Sequence, residues 1–367
     1  MIANEISDDR LKKMGAGAGL VDHNGEGRGP QARLLKTAFF GDFTAAGQSI
    51  ELVFTKAQRE KIARITDFYP VRVTSANFEE CLPQLQELEV IFCTWGMLAL
   101  TDEQVARLPA LQAVFYAAGT VKGFAMPYLR RGIKVTSSRE ANARPVAEFT
   151  LAQILLVNKG YFRNVRDYRA HRAKVDSRFR GAGNLGLTVS LLGLGKIGRL
   201  LLDMLAPFDL RALAFDPFLS AEQIRGMGAE KVDLAEAFER GNVVSNHLAD
   251  VPETEGLISG KLLSSMPRNG AFINTGRGRT VREDELADAL RARTDLSALL
   301  DVTYPEPPAA ASPLWELPNV MLSGHIAGSI GNETARLADL AIEEFERWSR
   351  GEPLQHEVTL ENVDLIA

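Results

Sequence analysis

The sequence predicts an α/β protein with two doubly wound, parallel-sheet units. Short apolar runs that suit strands alternate with helical stretches between residues 36 and 136, and the same alternation returns between 187 and 322. Strands that alternate with helices in this way favour parallel sheets covered by helices. The chain has 367 residues, which is long for one core and suits about two domains.

The first unit follows a polar, glycine-rich stretch, residues 1–32, which is predicted to be a flexible extension. Its helices are predicted near 56–66, 78–87 and 102–108, and its strands near 36–40, 70–73, 89–94, 112–116 and 133–136. A long helix is then predicted from about Pro145 to Arg172, with Pro145 in the first helical position. Its basic, amphipathic second half favours a solvated face with a stripe for subunit contact over anion or membrane binding.

The second unit opens with an apolar strand at 187–192 and a helix at 196–205. Helices are also predicted at 282–293 and 332–350. Further strands are predicted near 211–215, 242–245, 271–274, 296–300 and 319–322.

Charge and composition exclude several kinds of function. The net charge is −5 and no run of lysine and arginine is present, so no nucleic-acid surface is expected. Cys81 and Cys93 form no CxxC pair and predict neither a disulfide framework nor a metal site. The N-terminus lacks the apolar stretch of a signal peptide, and the apolar runs are too short to span a bilayer. The expectation is a cytoplasmic protein without membrane association.

A glycine turn joins the strand at 187–192 to its helix. Gly193 permits the tight turn, Gly195 lets a pyrophosphate approach the backbone, and Gly198 allows the helix to pack closely on the strand. Asp216 ends the next strand, where an acid can bind ribose hydroxyls and repel a 2′-phosphate, so NAD is favoured over NADP. The alternative is a glycine turn that binds nothing.

Three chemically active side chains follow strands of the second unit: Arg277, Glu306 and His325. Ligands of open α/β sheets bind outside the carboxyl ends of the strands, so all three are expected at one edge. The guanidinium can bind a substrate carboxylate and polarise its carbonyl. The imidazole can serve as acid or base for a hydroxyl proton, and the carboxylate can orient the ring and stabilise its protonated form. The set suits hydride transfer to or from a 2-hydroxy acid.

From about Leu34 onward the chain resembles the NAD-dependent D-2-hydroxyacid dehydrogenases of the glycerate/phosphoglycerate type. The most specific stretches are GLGKIG with FDP, INTGRG, LLDVTYPEP and the histidine loop. The resemblance implies Arg277 as carboxylate binder, Glu306 as the histidine's partner and His325 as acid/base. It implies cofactor contacts from the glycine turn and from Thr120, Lys196, Ile197, Asp216, Thr275, Gly276 and Asp301. It implies substrate contacts from Trp95, Ala118, Gly119, Thr120 and Arg277.

The same resemblance implies a Rossmann-type cofactor domain and a flavodoxin-like substrate domain with a cleft between them. The substrate domain would take residues 33–140 and the returning segment 336–367, and the NAD-binding domain would take 141–335. A homodimer formed through the cofactor domain would suit the amphipathic segment at 145–172.

Three departures from the family's pattern concern the site. Ser323-Gly324 precede His325 where a proline is common, Thr120-Val121-Lys122 replace the usual glycine–aspartate pattern, and Trp95 stands where the far end of the substrate would lie. Family members that oxidise formate carry glutamine in place of the glutamate, so Glu306 argues against formate.

Two alternatives to a 2-keto acid reductase stay open. One is an NAD(H)-sensing binding protein on the same scaffold, similar to the family's transcriptional corepressors. The other keeps the enzyme class but acts on an unusual oxyacid such as phosphite, which Arg277 could also bind.

Overall fold

The computed structural model describes residues 33–42, 50–172 and 181–363, so the predicted extension at 1–32 lies outside the described residues. In this part of the chain the strands are β1 (Lys36–Phe40), β2 (Asp67–Phe68), β3 (Val90–Cys93), β4 (Ala113–Tyr116), β5 (Lys134–Ser137), β6 (Thr188–Leu192), β7 (Arg211–Phe215), β8 (Glu230–Lys231), β9 (Val243–Asn246), β10 (Ala271–Asn274), β11 (Ser297–Leu300), β12 (Val320–Leu322) and β13 (Glu357–Val358).

The α-helices of the same residues are α1 (Ile50–Val53), α2 (Lys56–Ile65), α3 (Phe78–Cys81), α4 (Asp102–Ala106), α5 (Met126–Leu129), α6 (Arg139–Asn158), α7 (Tyr161–His171), α8 (Lys196–Leu205), α9 (Ala221–Gly226), α10 (Leu234–Arg240), α11 (Gly260–Ser264), α12 (Glu283–Ala292) and α13 (Ala335–Ser349).

Two sheets organise these elements, and their strand orders confirm the predicted fold class. The first sheet runs β13-β5-β4-β3-β1-β2 and is parallel except for β13, which pairs antiparallel with β5. Without β13 this is the flavodoxin-like order. The second sheet runs β12-β11-β10-β9-β6-β7-β8, with parallel pairing throughout. Its order reverses beside β6, as in dinucleotide-binding folds.

Each sheet is buried on both faces. One face of the first sheet packs against α13, where the Phe345 ring lies 5.2 Å from Phe92 and 5.6 Å from Phe115. The opposite face packs against α5 and the loops around it. The second sheet has an apolar cluster on either face, one of which includes α8. Strands covered on both sides read as continuous apolar runs, which is why the sequence showed them.

The prediction of one long helix from Pro145 to Arg172 is wrong in two respects. The segment begins earlier, at Arg139, and Pro145 lies inside α6 rather than in its first turn. It is also split, because Gly160 takes a φ of 71° between α6 and α7. A proline inside a helix costs about 3 kcal/mol, and the burial of this stretch of α6 outweighs that cost.

Two further elements differ from the prediction in the first unit. The strand expected at 70–73 is β2 at Asp67–Phe68, and Val73 contributes an isolated bridge to Phe40. Pro70 has no N–H to donate, which prevents a longer ladder. The helix expected at 78–87 ends at Cys81 and continues as a 3-10 turn that contains Pro83.

Candidate active site

His325 and Glu306 meet at the carboxyl edge of the second sheet. Nδ1 of His325 lies 2.7 Å from Oε1 of Glu306, and their side chains are 50% and 40% exposed. Glu306 belongs to the proline-rich loop after β11, and His325 follows β12, which is the neighbour of β11. The carboxylate contacts the ring through Nδ1, and no hydrogen bond within the described residues engages Nε2.

Asp301 holds the loop that carries His325. Its carboxylate accepts hydrogen bonds from the backbone N–H of Ile326 (2.9 Å) and Ala327 (2.8 Å) and from the Ser323 hydroxyl (2.6 Å). Its backbone carbonyl accepts the N–H of His325, which has a φ of 56°. A non-glycine residue in this region is strained, so these bonds determine where the imidazole lies. The proposed contact of Asp301 with a nicotinamide carboxamide stays a prediction.

Arg277 follows β10 and is half-buried. Nη1 donates to the carbonyl of Gly276 at 2.8 Å, and within the described residues no carboxylate forms an ion pair with the guanidinium. Burial lowers the pKa of Arg277, while the nearby carboxylates of Asp250 and Glu306 raise it. The group stays protonated at any physiological pH. A desolvated cation with unused donors is suited to accept the carboxylate of a ligand.

Asp250 is a charged group of this edge that the sequence reading missed. It follows β9, whose neighbour β10 leads to Arg277, and it is half-buried. Its backbone carbonyl accepts a 2.8 Å hydrogen bond from Nζ of Lys122, which belongs to the loop after β4. The strand-end rule that identified Arg277 would also have identified Asp250, because β9 ends at the same edge.

The glycine turn has the shape that a dinucleotide requires. A Cβ on Gly193, which has a φ of 90°, would lie 2.8 Å from the carbonyl oxygen of His247. A Cβ on Gly198 would lie 2.1 Å from the carbonyl oxygen of Gly193. By contrast, a Cβ on Gly195 would meet no protein atom within 4 Å, so this glycine leaves open space in front of the first turn of α8. That space and the positive end of the helix fit a pyrophosphate.

Asp216 supports the same turn. One carboxylate oxygen accepts the N–H of Leu194 at 2.9 Å, and the other accepts the N–H groups of Phe218 and Leu219 at 2.9 and 3.2 Å. A carboxylate has about four acceptor sites, so capacity for a ribose hydroxyl is left. Ile197 is half-buried beside the turn, and Lys196 forms an ion pair with Glu140 at 2.5 Å. Their cofactor contacts stay predictions.

Helix α6 joins the second sheet's site to the loop that follows β4. Asn142 accepts the N–H of Ser329 at 2.9 Å through Oδ1, and a Cβ on Gly119 would lie 3.8 Å from its Nδ2. Farther along the helix, the hydroxyls of Thr150 and Thr275 are 3.1 Å apart. The structure therefore brings the segment containing Ala118 and Gly119 towards the loop of His325.

The structure also shows where the remaining predicted site residues lie. A Cβ on Gly276 would lie 3.0 Å from the carbonyl oxygen of Asn246, so a side chain there would be a tight fit. Trp95 follows β3 and packs against both apolar clusters of the first sheet, and Thr120 is exposed. Their substrate and cofactor contacts stay predictions.

Comparison with known proteins identifies the family. Residues 151–327 match the family described as D-isomer specific 2-hydroxyacid dehydrogenase, NAD binding domain. Residues 151–327, about half of the chain, therefore belong to the NAD-binding domain family of the D-isomer specific 2-hydroxyacid dehydrogenases. The match contains the glycine turn, Arg277, Glu306 and His325, and it confirms NAD as the predicted cofactor.

Relatives of this chain include the D-3-phosphoglycerate dehydrogenase of Mycobacterium bovis, which is 34% identical over 282 residues. That alignment covers 76% of this chain and 53% of the relative, so the chain spans about half the length of that curated protein. Among solved structures, a phosphoglycerate oxidoreductase from Rhizobium etli has a TM-score of 0.74 at 22% identity, covering 90% of this chain and all of that one. The NAD-complexed D-isomer specific 2-hydroxyacid dehydrogenase of Lactobacillus delbrueckii has a TM-score of 0.72 at 18% identity, covering 88% and 100%. At these identities the two structures support the fold.

Two other findings concern the described residues alone. No helix in them combines the length and apolarity needed to cross a bilayer. No group of three or more metal-binding side chains occurs among them, and Cys81 and Cys93 are both buried free thiols.

Proposed function

We propose that this protein is an NADH-dependent reductase of 2-keto acids that forms D-2-hydroxy acids, reversibly in principle. The observation that carries the proposal is the 2.7 Å pair of His325 and Glu306, which shares the sheet edge with Arg277 and the glycine turn. Family membership supports the reaction class, and the site supports the roles of these residues.

Each residue has a defined task in the proposed reaction. When bound, the nicotinamide supplies the hydride for C2 of the keto acid. Arg277 binds the substrate carboxylate and polarises the carbonyl, which its unused donors and half-buried position allow. Protonated His325 donates a proton from Nε2 to the developing alkoxide, and Glu306 holds the ring through Nδ1. In the oxidising direction the neutral imidazole takes that proton back.

The test is an NADH-oxidation screen over glyoxylate, hydroxypyruvate, pyruvate and bulkier 2-keto acids. At least one acid should be reduced, and His325→Ala should lower kcat by about 100-fold or more while NADH still binds. NADH binding by fluorescence serves as the control for folding. If His325→Ala turns over as fast as the wild type, the proposed acid/base role is wrong.

Both alternatives predict that no 2-keto acid is reduced in this screen, and an assay of NAD reduction with phosphite distinguishes between them. An NAD(H)-sensing binding protein would bind NADH and reduce no keto acid at a useful rate. An oxyacid enzyme would instead reduce NAD with phosphite as substrate. No contact among the described residues favours either alternative over keto-acid reduction.

We also propose that the domains divide as the sequence predicted, with residues 33–140 and 336–367 forming the substrate domain and 141–335 the NAD-binding domain. The packing of α13 against the first sheet supports this division. A cytoplasmic location likewise stays a prediction.

A homodimer is the last part of the proposal. Tyr161, Val165 and Tyr168 are exposed on α7 at the spacing i, i+4, i+7, which places them on one face of the helix. Exposed apolar stripes of this kind mark contact surfaces between proteins. A second copy of the same chain fits the position of α7 beside the NAD-binding fold.

A further inference from the structure

Asp250 places a negative charge next to the arginine that is proposed to bind the substrate carboxylate. The loops after β9 and β10 pack together, because Asn246 donates to the Asn274 side chain at 3.0 Å and its carbonyl oxygen touches Gly276. Burial lowers the pKa of Arg277 while Asp250 and Glu306 act to raise it, and the pKa of Arg279 is raised mainly by Glu255 and further by Asp250. The Asp250 carboxylate therefore lies within electrostatic reach of both guanidinium groups. Within the described part of the chain, no hydrogen bond or ion pair engages that carboxylate.

We infer that Asp250 is a specificity-determining residue that excludes substrates with a second negative charge, so that the site takes monoanionic 2-keto acids. The inference rests on the proposed function. A carboxylate that is half-buried and not committed to a partner repels a phosphate or a second carboxylate at short range. A single substrate carboxylate is still attracted to Arg277, because that guanidinium has unused donors.

Two other cations at this edge are already engaged. Nζ of Lys122 donates to the backbone carbonyl of Asp250 at 2.8 Å. Arg279 pairs with Glu255 at 2.6 Å and lies over the ring of Tyr304 at 5.5 Å. A phosphate would have to compete with Glu255 for Arg279, and at Lys122 it would meet the nearby charge of Asp250 as well.

Apolar side chains near His325 favour a substrate whose group beyond the keto acid is uncharged. Ile326 follows His325 directly and is exposed, and Ile330 is exposed in the same loop. Large apolar side chains at the mouth of a site favour an apolar group over a phosphate.

The experiment compares two keto acids that differ by a phosphate group, hydroxypyruvate and 3-phosphohydroxypyruvate. In the wild type, kcat/KM for the phosphorylated acid should be at least about tenfold below that for hydroxypyruvate. Asp250→Asn removes the charge and keeps the shape, so it should raise the ratio of the two values by about tenfold. Asp250→Glu keeps the charge and should keep the low ratio.

Asp203→Asn is the matched control, because it removes a carboxylate from the exposed side of α8 and should leave the ratio unchanged. NADH binding checks the folding of every variant. The inference about Asp250 is wrong if the wild type prefers the phosphorylated acid, or if Asp250→Asn has the same ratio of kcat/KM values as the wild type. Either result leaves the proposed function intact. If no variant reduces any 2-keto acid, the proposed function fails first.

Discussion

The contact between Glu306 and His325 gives a prediction at the scale of single residues. Glu306→Gln keeps the size of the side chain and removes its charge, so the ring loses the carboxylate that contacts Nδ1. We expect kcat for keto-acid reduction to fall by roughly 10- to 100-fold, with a smaller change in KM, because the substrate carboxylate is bound elsewhere. Steady-state kinetics with NADH measures both values. An unchanged kcat would mean that the carboxylate is dispensable.

His247 predicts how stability depends on pH. Nε2 bonds with the Ser245 hydroxyl at 2.9 Å, whereas Nδ1 is buried without a partner among the described groups. Burial lowers the pKa of His247 to about 4, against an ordinary value of 6.5. The unfolded chain therefore binds more protons between these pH values, and stability falls as the pH drops from 6.5 towards 4, by up to about 1.4 kcal/mol per pH unit.

The measurement for His247 is the thermal unfolding midpoint as a function of pH. His247→Gln cannot be protonated, so its midpoint should fall less steeply than that of the wild type over the same window. All other titrating groups are common to both proteins and cancel in the difference. Parallel pH profiles would show that His247 is not the group responsible.

At the scale of elements, two glycines of the same turn are expected to have different roles, Gly198 in folding and Gly195 in cofactor binding. Gly198→Ala forces a methyl group against the carbonyl of Gly193, so α8 must shift, and we expect a loss of about 1–3 kcal/mol of stability. Gly195→Ala places its methyl group in open space, so folding should be preserved. That space is where the pyrophosphate would lie, and NADH affinity should fall by at least about tenfold.

Thermal unfolding and NADH fluorescence titration test this pair. Gly195→Ala should match the wild type in unfolding midpoint and differ in dissociation constant, while Gly198→Ala should differ in midpoint. Equal NADH affinity in Gly195→Ala and wild type would contradict the proposed position of the pyrophosphate.

Local patterns predicted most elements, and the failures have physical causes. Six strands of the second sheet were predicted, because burial makes their sequences largely apolar. The seventh, β8, was missed because its two residues, Glu230 and Lys231, are polar and exposed. The break at Gly160 was not predicted, since an isolated glycine inside a helical pattern is often tolerated. Asp250 was missed because a sequence gives no distance between two loops, although each loop could be assigned to its strand end.

At the scale of the whole molecule, α6 positions groups of the site that come from distant parts of the chain. Its residue Asn142 binds the loop of Ser329, Thr150 contacts Thr275, and Glu140 pairs with Lys196. The sequence indicated this helix and its apolar face, but not these polar contacts. They depend on how the helix packs, which propensity and periodicity do not determine.

The proposed homodimer gives a prediction for the assembled protein. If the stripe of Tyr161, Val165 and Tyr168 is the contact surface, the mass in solution should be about twice the 40.2 kDa of one chain. Val165→Asp puts a charge into that stripe and should yield monomers, because an unpaired charge is costly at a buried contact.

Ala170→Asp is the control for this test. Ala170 is exposed on the same helix, and at about 100° per residue it points away from the stripe, so the added charge should leave the dimer intact. Light scattering after size-exclusion chromatography measures the mass of each variant at several micromolar concentrations. Because Val165 is exposed in the single chain, its substitution should not change the unfolding midpoint of the monomer itself. A wild type that is monomeric throughout, or a Val165→Asp variant that stays dimeric, would place the contact surface elsewhere or remove it.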